Sequence, residues 1–185
     1  MSNWKSAAAA RFLIPAIAGF ALDQIVKLWA DAHLQDGAIT LIPGWLQLEW
    51  TKNHGAALGF FQGYRWMFLI VSVLAILFLG ALFSASRKNQ WWYQIILGML
   101  LAGVLGNMYD RVALGYVRDM IHIFPGRYWP PFIAAHLPRW WSTPELFPWI
   151  FNIADSLLCV GVALMLIHSL FTASGSKKEK KPQAT

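Results

Sequence analysis

The chain has 185 residues, of which 57% are apolar and 11 are Trp. Soluble domains usually hold about 45–50% apolar residues, so this composition argues against a soluble protein. The formal net charge is +6, which a basic segment beside anionic lipid explains without any nucleic acid. We therefore expect the protein to contact membrane lipids and to bind no nucleic acid.

Four apolar runs are each close to the ~20 residues that cross a hydrocarbon core about 30 Å thick. Backbone polar groups in lipid must be paired within their own segment, so such runs form helices. The first run is expected to be retained, because "SAAAA" precedes it and Asp23 and Lys27 lie within it, unlike a signal peptide. The sequence predicts an all-α integral membrane protein with transmembrane helices at about 12–30, 66–84, 91–108 and 149–171.

Lys and Arg residues near the ends of the spans predict the orientation. They occur in the N-terminal segment, in the loop between spans two and three ("SRKNQ") and in the C-terminal segment "SGSKKEKKPQAT". With four spans, these three segments share one side of the membrane. We expect both termini in the cytoplasm, a single domain over 1–171, and a basic cytoplasmic tail without fixed structure over 172–185.

The two outer connections differ in character. Residues 37–52 include the near-alternating "WLQLEW", which predicts a small extracytoplasmic β element. The next segment, "NHGAALGFFQGYRW", contains glycines that allow tight turns. Residues 124–149 are rich in Pro and Trp, which is typical of an interfacial helix or loop lying on the membrane.

Polar residues gather at the outer ends of three spans. Within span three they are spaced at i, i+3 and i+4, which places them on one helical face. Asp119 follows this span closely enough to return to the same level. The converging residues in the spans are Asp23, Lys27, Asn107, Asp110, Arg111, Asn152 and Asp155.

Charged pairs within this set also have a structural interpretation. Asp23 with Lys27, and Asp110 with Arg111, would neutralise each other as ion pairs at helix ends. For these four residues the sequence favours a structural role over a role in catalysis or binding.

The other residues of the set divide differently. Asn107 and Asn152 fit hydrogen bonds between helices as well as they fit a functional site. Asp155 has no basic residue within a helical turn, and an unpaired intramembrane carboxylate indicates function. Asp119 has Arg118 beside it, but sequence neighbours on a helix point in different directions, so we favour function there too.

Two carboxylates at one low-dielectric site predict a definite chemistry. They cannot both ionise cheaply, so they share a proton. One then takes a proton from water while the other donates one, which is peptide hydrolysis without a covalent intermediate. Ser156 lacks a nearby His, and the His residues show no metal-ligand spacing, so we expect no metal and no cofactor.

At these residues the sequence resembles the bacterial lipoprotein signal peptidases, or signal peptidase II. The resemblance implies an aspartic endopeptidase of the bacterial inner membrane, with its active site near the outer leaflet surface. Its substrate would be a diacylglyceryl prolipoprotein, cut just before the lipidated cysteine, and peptide-like inhibitors such as globomycin are implied too. Separately, we expect a monomer. The blocks that carry the resemblance are "DQIVK" (23–27), "NHGAALGF" (53–60), "GNMYDRVALGYVRDM" (106–120) and "FNIADS" (151–156).

The resemblance also assigns roles by position. Catalysis falls to Asp119 and Asp155, and the block "NHGAALGF" resembles an outer element that packs over the substrate. Met120 and Leu58 stand where the family often has Phe, and the 124–149 connection is longer than usual for it. Substrate contact or site organisation is implied for Asn53, Gly55, Asn107, Arg111, Asn152, Asp23, Lys27 and Asp110.

Two other functions compete with this one. A small proton-coupled transporter would use Asp23, Asp119 and Asp155 as a relay, but polar residues should then be spread through the membrane depth, often in repeated halves. A non-enzymatic subunit of a secretion system would leave Asp155 without a purpose. The inner halves of the spans are almost purely apolar, and no repeat is visible.

Overall fold

Four long helices form the body of the protein, as the sequence predicts. The computed structural model describes residues 3–55, 64–138, 141 and 143–179. Each long helix contains an apolar window sufficient to cross a membrane. The helices are α1 (Asn3–His33), α2 (Arg65–Ser84), α3 (Trp91–Ala113), the short α4 (Pro131–Ala134) and α5 (Ile153–Glu179).

A four-stranded antiparallel sheet lies at one end of the bundle, in the order β1-β2-β3-β4. The expected β element is therefore confirmed, but it is larger than "WLQLEW" alone indicated. The expectation that Arg118 and Asp119 lie on a helix is wrong, because Gly115 adopts φ 87° and turns the chain out of α3 into a strand. The strands are β1 (Ile39–Ile42), β2 (Leu46–Asn53), β3 (Val117–Ile123) and β4 (Ile150–Phe151).

Several helix boundaries differ from the predicted spans. The described part of the first helix extends back to Asn3, because the Ala-rich segment before the apolar run is itself a strong helix former. The last helix begins at Ile153, because the residues before it form β4. It continues to Glu179, beyond the point at which an unstructured tail was expected, and residues 180–185 lie outside the described part of the chain.

The third helix is the centre of the bundle, since α1, α2 and α5 all pack against it. It approaches α1 closely at Gly98, where a Cβ atom would overlap the backbone carbonyl oxygen of Phe12. Small residues at such crossings let helix backbones come close together in membranes. Around this crossing lies an apolar cluster of Phe12, Leu79, Ile96, Leu97 and Leu100.

We expect Gly98→Ala to destabilise the bundle, because the added methyl group must push α1 away from α3. Overpacking of this kind costs about 1–3 kcal/mol. The midpoint of thermal unfolding in detergent should fall accordingly. Gly80→Ala is the matched control, because nothing lies within 4 Å of its added Cβ and alanine is the better helix former. Equal midpoints for the two variants would contradict this packing.

Candidate active site

Two carboxylates from different elements meet where the sheet joins the bundle. Asp119 lies on the inner strand β3 and is 1% exposed. Asp155 lies in the first turn of α5 and is partly exposed. The sheet brings them together, because β4 pairs with β3 and leads directly into α5.

Asn152 connects the two carboxylates. Its Nδ2 donates to Asp119 Oδ1 at 2.6 Å, and its backbone N–H donates to Asp155 Oδ2 at 3.3 Å. Its Oδ1 accepts from the backbone N–H of Asp155 at 2.9 Å. The last two bonds form a reciprocal cap on the N-terminus of α5. The residue that starts the helix therefore also sets the relative position of the pair.

Two further amides complete the hydrogen bonds of the pair. Asn107 of α3 donates from Nδ2 to Asp155 Oδ1 at 2.7 Å. Asn53 of β2 donates from Nδ2 to Asp119 Oδ2 at 2.9 Å. Each carboxyl group thus accepts side-chain amide hydrogens that hold its orientation and leave its proton to be exchanged with the other carboxyl or with water.

Beneath the pair lies a fully buried cation, Lys27. Its Nζ is 2.9 Å from Asp23 Oδ2, 3.3 Å from Asp110 Oδ2 and 3.3 Å from Asn107 Oδ1. Asp23 Oδ1 also accepts the backbone N–H of Ala154 at 2.9 Å, in the first turn of α5. The predicted Asp23–Lys27 ion pair is confirmed, and it ties α1 to α3 and α5.

The predicted pairing of Asp110 with Arg111 is wrong. Asp110 instead accepts from Arg118, through Nη2 at 2.7 Å and Nε at 3.2 Å. Burial disfavours the Arg118 cation, but its hydrogen bonds to Asp110 and Asp31 outweigh burial and hold its pKa above the ordinary value. Adjacent side chains on a helix point in different directions, whereas the strand β3 returns Arg118 to the end of α3.

Arg111 is used in another way. Its Nη2 donates to the backbone oxygen of Gly55 at 2.9 Å, and its guanidinium lies 4.6 Å from the ring centroid of Phe68. The N–H of Gly55 donates to Asn53 Oδ1 at 2.9 Å, which turns the Asn53 amide nitrogen toward Asp119. Arg111 and Gly55 thus orient Asn53. The rest of the glycine-rich block, 56–63, lies outside the described residues.

Burial and then the charge of Asp155 raise the pKa of Asp119 to about 7, against the lowering effect of the hydrogen bonds from Asn53 and Asn152. Near neutral pH this carboxyl group can both hold and release a proton, as an acid–base catalyst must. Within the described part of the chain, no three His, Cys, Asp or Glu side chains are placed to hold a metal ion.

Comparison with known proteins decides the family. The model of the signal peptidase (SPase) II family matches residues 15–171. The chain belongs to this family. It is 36% identical to the lipoprotein signal peptidase of Lactiplantibacillus plantarum over 86% of this chain and 93% of the relative. It is also 36% identical to the Bacillus velezensis protein of that name, over 85% and 92%.

Solved structures of bacterial membrane enzymes share this fold. A bacterial membrane enzyme solved by the in meso method superimposes with a TM-score of 0.72 at 29% identity, covering 93% of this chain and 92% of the other. A second such enzyme gives 0.68 at 28% identity, covering 85% and 90%. A member of this family is a peptidase, and its four apolar helices make it a multi-pass membrane protein.

Sequence reasoning missed the part of the site that Arg118 organises. Its Nη1 donates to Asp31 Oδ2 at 2.7 Å and its Nη2 to Gln24 Oε1 at 2.9 Å. Trp50 of β2 donates from Nε1 to Asp31 Oδ1 at 2.8 Å. A signal was present, because Gln24, Lys27 and Asp31 recur at helical spacing on one face of α1. In this member of the family they link α1, α3 and the sheet.

The raised pKa of Asp119 makes stability depend on pH. Protonation of this carboxyl favours the folded state, because its pKa is higher there than in an unfolded chain. The contribution is fully present below about pH 4 and is lost as the pH rises through about 7. We expect the midpoint of thermal unfolding in detergent to fall over this interval, and to fall less in Asp119→Asn.

The exposed carboxylate Asp36 provides the control. Asp36→Asn should keep the pH dependence of the wild type, since removing a solvated charge leaves Asp119 unchanged. Identical pH dependence in wild type, Asp119→Asn and Asp36→Asn would show that Asp119 ionises without a folding penalty.

Proposed function

We propose that the protein is an intramembrane aspartic endopeptidase that removes the signal peptide from diacylglyceryl-modified prolipoproteins, cutting just before the lipidated cysteine. The observation that carries the proposal is the pair Asp119 and Asp155, held from two elements by one Asn152. Membership of the signal peptidase II family supports the substrate class. By the same resemblance, peptide-like inhibitors such as globomycin bind this site. We also propose that the working unit is a monomer.

The pair divides the work of hydrolysis. Asp119, buried and with a pKa of about 7, holds the shared proton before reaction. Asp155, which is partly exposed, takes a proton from the attacking water while the water oxygen bonds to the scissile carbonyl carbon. Asp119 donates its proton to the carbonyl oxygen. Collapse of the tetrahedral intermediate breaks the C–N bond: the proton now on Asp155 passes to the leaving amine, and one hydroxyl of the gem-diol returns its proton to Asp119 as the new carboxylic acid forms.

The surroundings of the pair suit a lipid-linked substrate. The site lies at the end of the helices, where the sheet begins, so water and hydrocarbon are both near. On α2, apolar side chains face outward, including Ile70, Leu74 and Leu77 at 59–65% exposure. Signal peptide and acyl chains would pack on such surfaces, while Asn53 and Arg111 fix the peptide beside the pair.

We further propose that the protein lies in the bacterial inner membrane with both termini in the cytoplasm and the site near the outer leaflet. The basic residues of the helix ends opposite the sheet support this orientation, since cytoplasmic loops carry excess Lys and Arg. These residues are Lys5, Arg11, Arg87 and Lys88.

A transporter fits the structure less well. A proton relay across the membrane needs polar groups at successive depths. Between the buried Gln94 at one end and the Lys27 cluster at the other, the core of the described helices is the apolar cluster around Leu97 and Leu100. The buried polar groups of the site therefore lack a path to the opposite surface.

Asp119→Asn and Asp155→Asn should each lower the cleavage rate of a diacylglyceryl prolipoprotein by at least about a hundredfold, because each removes one acid–base group. The reaction is run with purified full-length protein in detergent and a metal chelator. Asp36→Asn should retain the wild-type rate, because this exposed carboxylate lies outside the site.

The product and the substrate control test the finer claims. Mass spectrometry should find the lipidated cysteine as the first residue of the product, and a precursor without the lipid should be cut poorly. Full activity of either Asp119→Asn or Asp155→Asn would refute the assignment of these two residues as the catalytic pair. Cleavage at another bond, or equal rates with and without lipid, would leave a peptidase but overturn the proposed specificity.

The orientation is tested with single cysteines. In a Cys159→Ala background, Asp36→Cys should react with an impermeant maleimide in intact spheroplasts, because it follows α1 on the sheet side. Asn89→Cys, in the loop between α2 and α3, should react only after permeabilisation. The reverse pattern would invert the proposed topology.

A further inference from the structure

A second polar feature lies at the end of the bundle opposite the sheet. An open pocket of about 350 Å³ is lined by Trp4, Ala7, Arg11, Lys88 and Trp91. It is formed where α1 and α3 begin, and none of its lining residues belongs to the site described above. Neither helix has an acidic residue in its first turn.

The cations of this pocket have no carboxylate partner among the described residues. Arg11 donates from Nη1 to the buried Gln94 at 3.3 Å and stacks 4.2 Å from the Trp91 ring centroid. This fixes the guanidinium while leaving most of its five N–H donors free. The backbone oxygen of Lys88 accepts from Trp91 Nε1 at 3.0 Å, which holds the end of the loop beside the pocket.

The position of the pocket indicates a lipid ligand. Trp4 and Trp91 each begin a membrane span, and Trp is the residue of the headgroup region. From Arg11, the same face of α1 continues into the span with Ile14, which is 65% exposed. A phospholipid whose phosphate is held by Arg11 and Lys88 would place its acyl chains along this face of α1.

We propose that this pocket binds the headgroup phosphate of an anionic phospholipid, with Arg11 and Lys88 as the phosphate ligands and Trp91 as the platform beside them. Basic pockets between transmembrane helices are known to bind anionic headgroups. Arg11 is held by Trp91 and Gln94, whereas the nearby cations Lys5 and Arg87 are exposed and do not line the pocket.

The test compares two variants that lose the same charge. Arg11→Gln combined with Lys88→Gln empties the pocket of cations, whereas Lys5→Gln combined with Arg87→Gln removes two exposed cations that do not line it. The full-length protein in detergent is titrated with phosphatidylglycerol and phosphatidylcholine, and bound lipid is counted by native mass spectrometry. We expect the pocket variant to bind phosphatidylglycerol at least about tenfold more weakly and the control variant to stay within about twofold of wild type.

Other outcomes overturn the proposal. Equal loss in both double variants would mean that binding follows net charge, and equal affinity for the two lipids would mean that the phosphate pocket is not the site. Thermal stabilisation by inorganic phosphate that matches that by phosphatidylglycerol would identify a free-anion site instead. If the pocket variant does not fold, Lys88→Gln is compared with Arg87→Gln in the same titration, and equal affinities would refute the proposal.

Discussion

The buried ammonium group of Lys27 is the constraint on which the rest of the site depends. A cation with no exposure to water is tolerated only when paired and hydrogen-bonded, and removing one partner of such a pair typically costs about 3–5 kcal/mol. Its partners Asp23, Asp110 and Asn107 lie on two helices, and Asp23 also binds the start of a third. The helices can therefore satisfy this charge only in one relative position. That position brings Asn107 to Asp155.

The start of α5 combines two tasks that are usually separate. Asn152 caps the helix, and the same side chain holds Asp119. The helix dipole favours negative charge at this end, where both Asp155 and Asp23 contact the first turn. A substitution at Asn152 would disturb helix formation and carboxylate geometry together, so its effects on stability and on chemistry cannot be separated.

The sequence predicted the parts of the structure that the membrane dictates. Lipid allows little besides helices, so long apolar runs sufficed to locate the spans, and helical spacing placed Asn107 and Asp110 on one face. The β3 strand was missed because its polar residues, Arg118 and Asp119, were interpreted as functional and its sheet partners are distant in the chain. The pairing of Asp110 with Arg118 was missed for the same reason. Partners of a buried charge are chosen by the folded geometry, which nearest neighbours in sequence do not reveal.

The two carboxylates belong to different elements, one to the sheet and one to the helix α5. Asp119 sits in a sheet at the end of the bundle, whereas Asp155 sits in a helix whose tilt the bilayer influences. The distance between the two carboxylates therefore depends on how the sheet packs against the bundle. Asn152 bonds to both of them. A change in bilayer thickness that tilts α5 would therefore act on the contacts of Asn152. The bilayer would then influence the geometry of the candidate site as well as surround it.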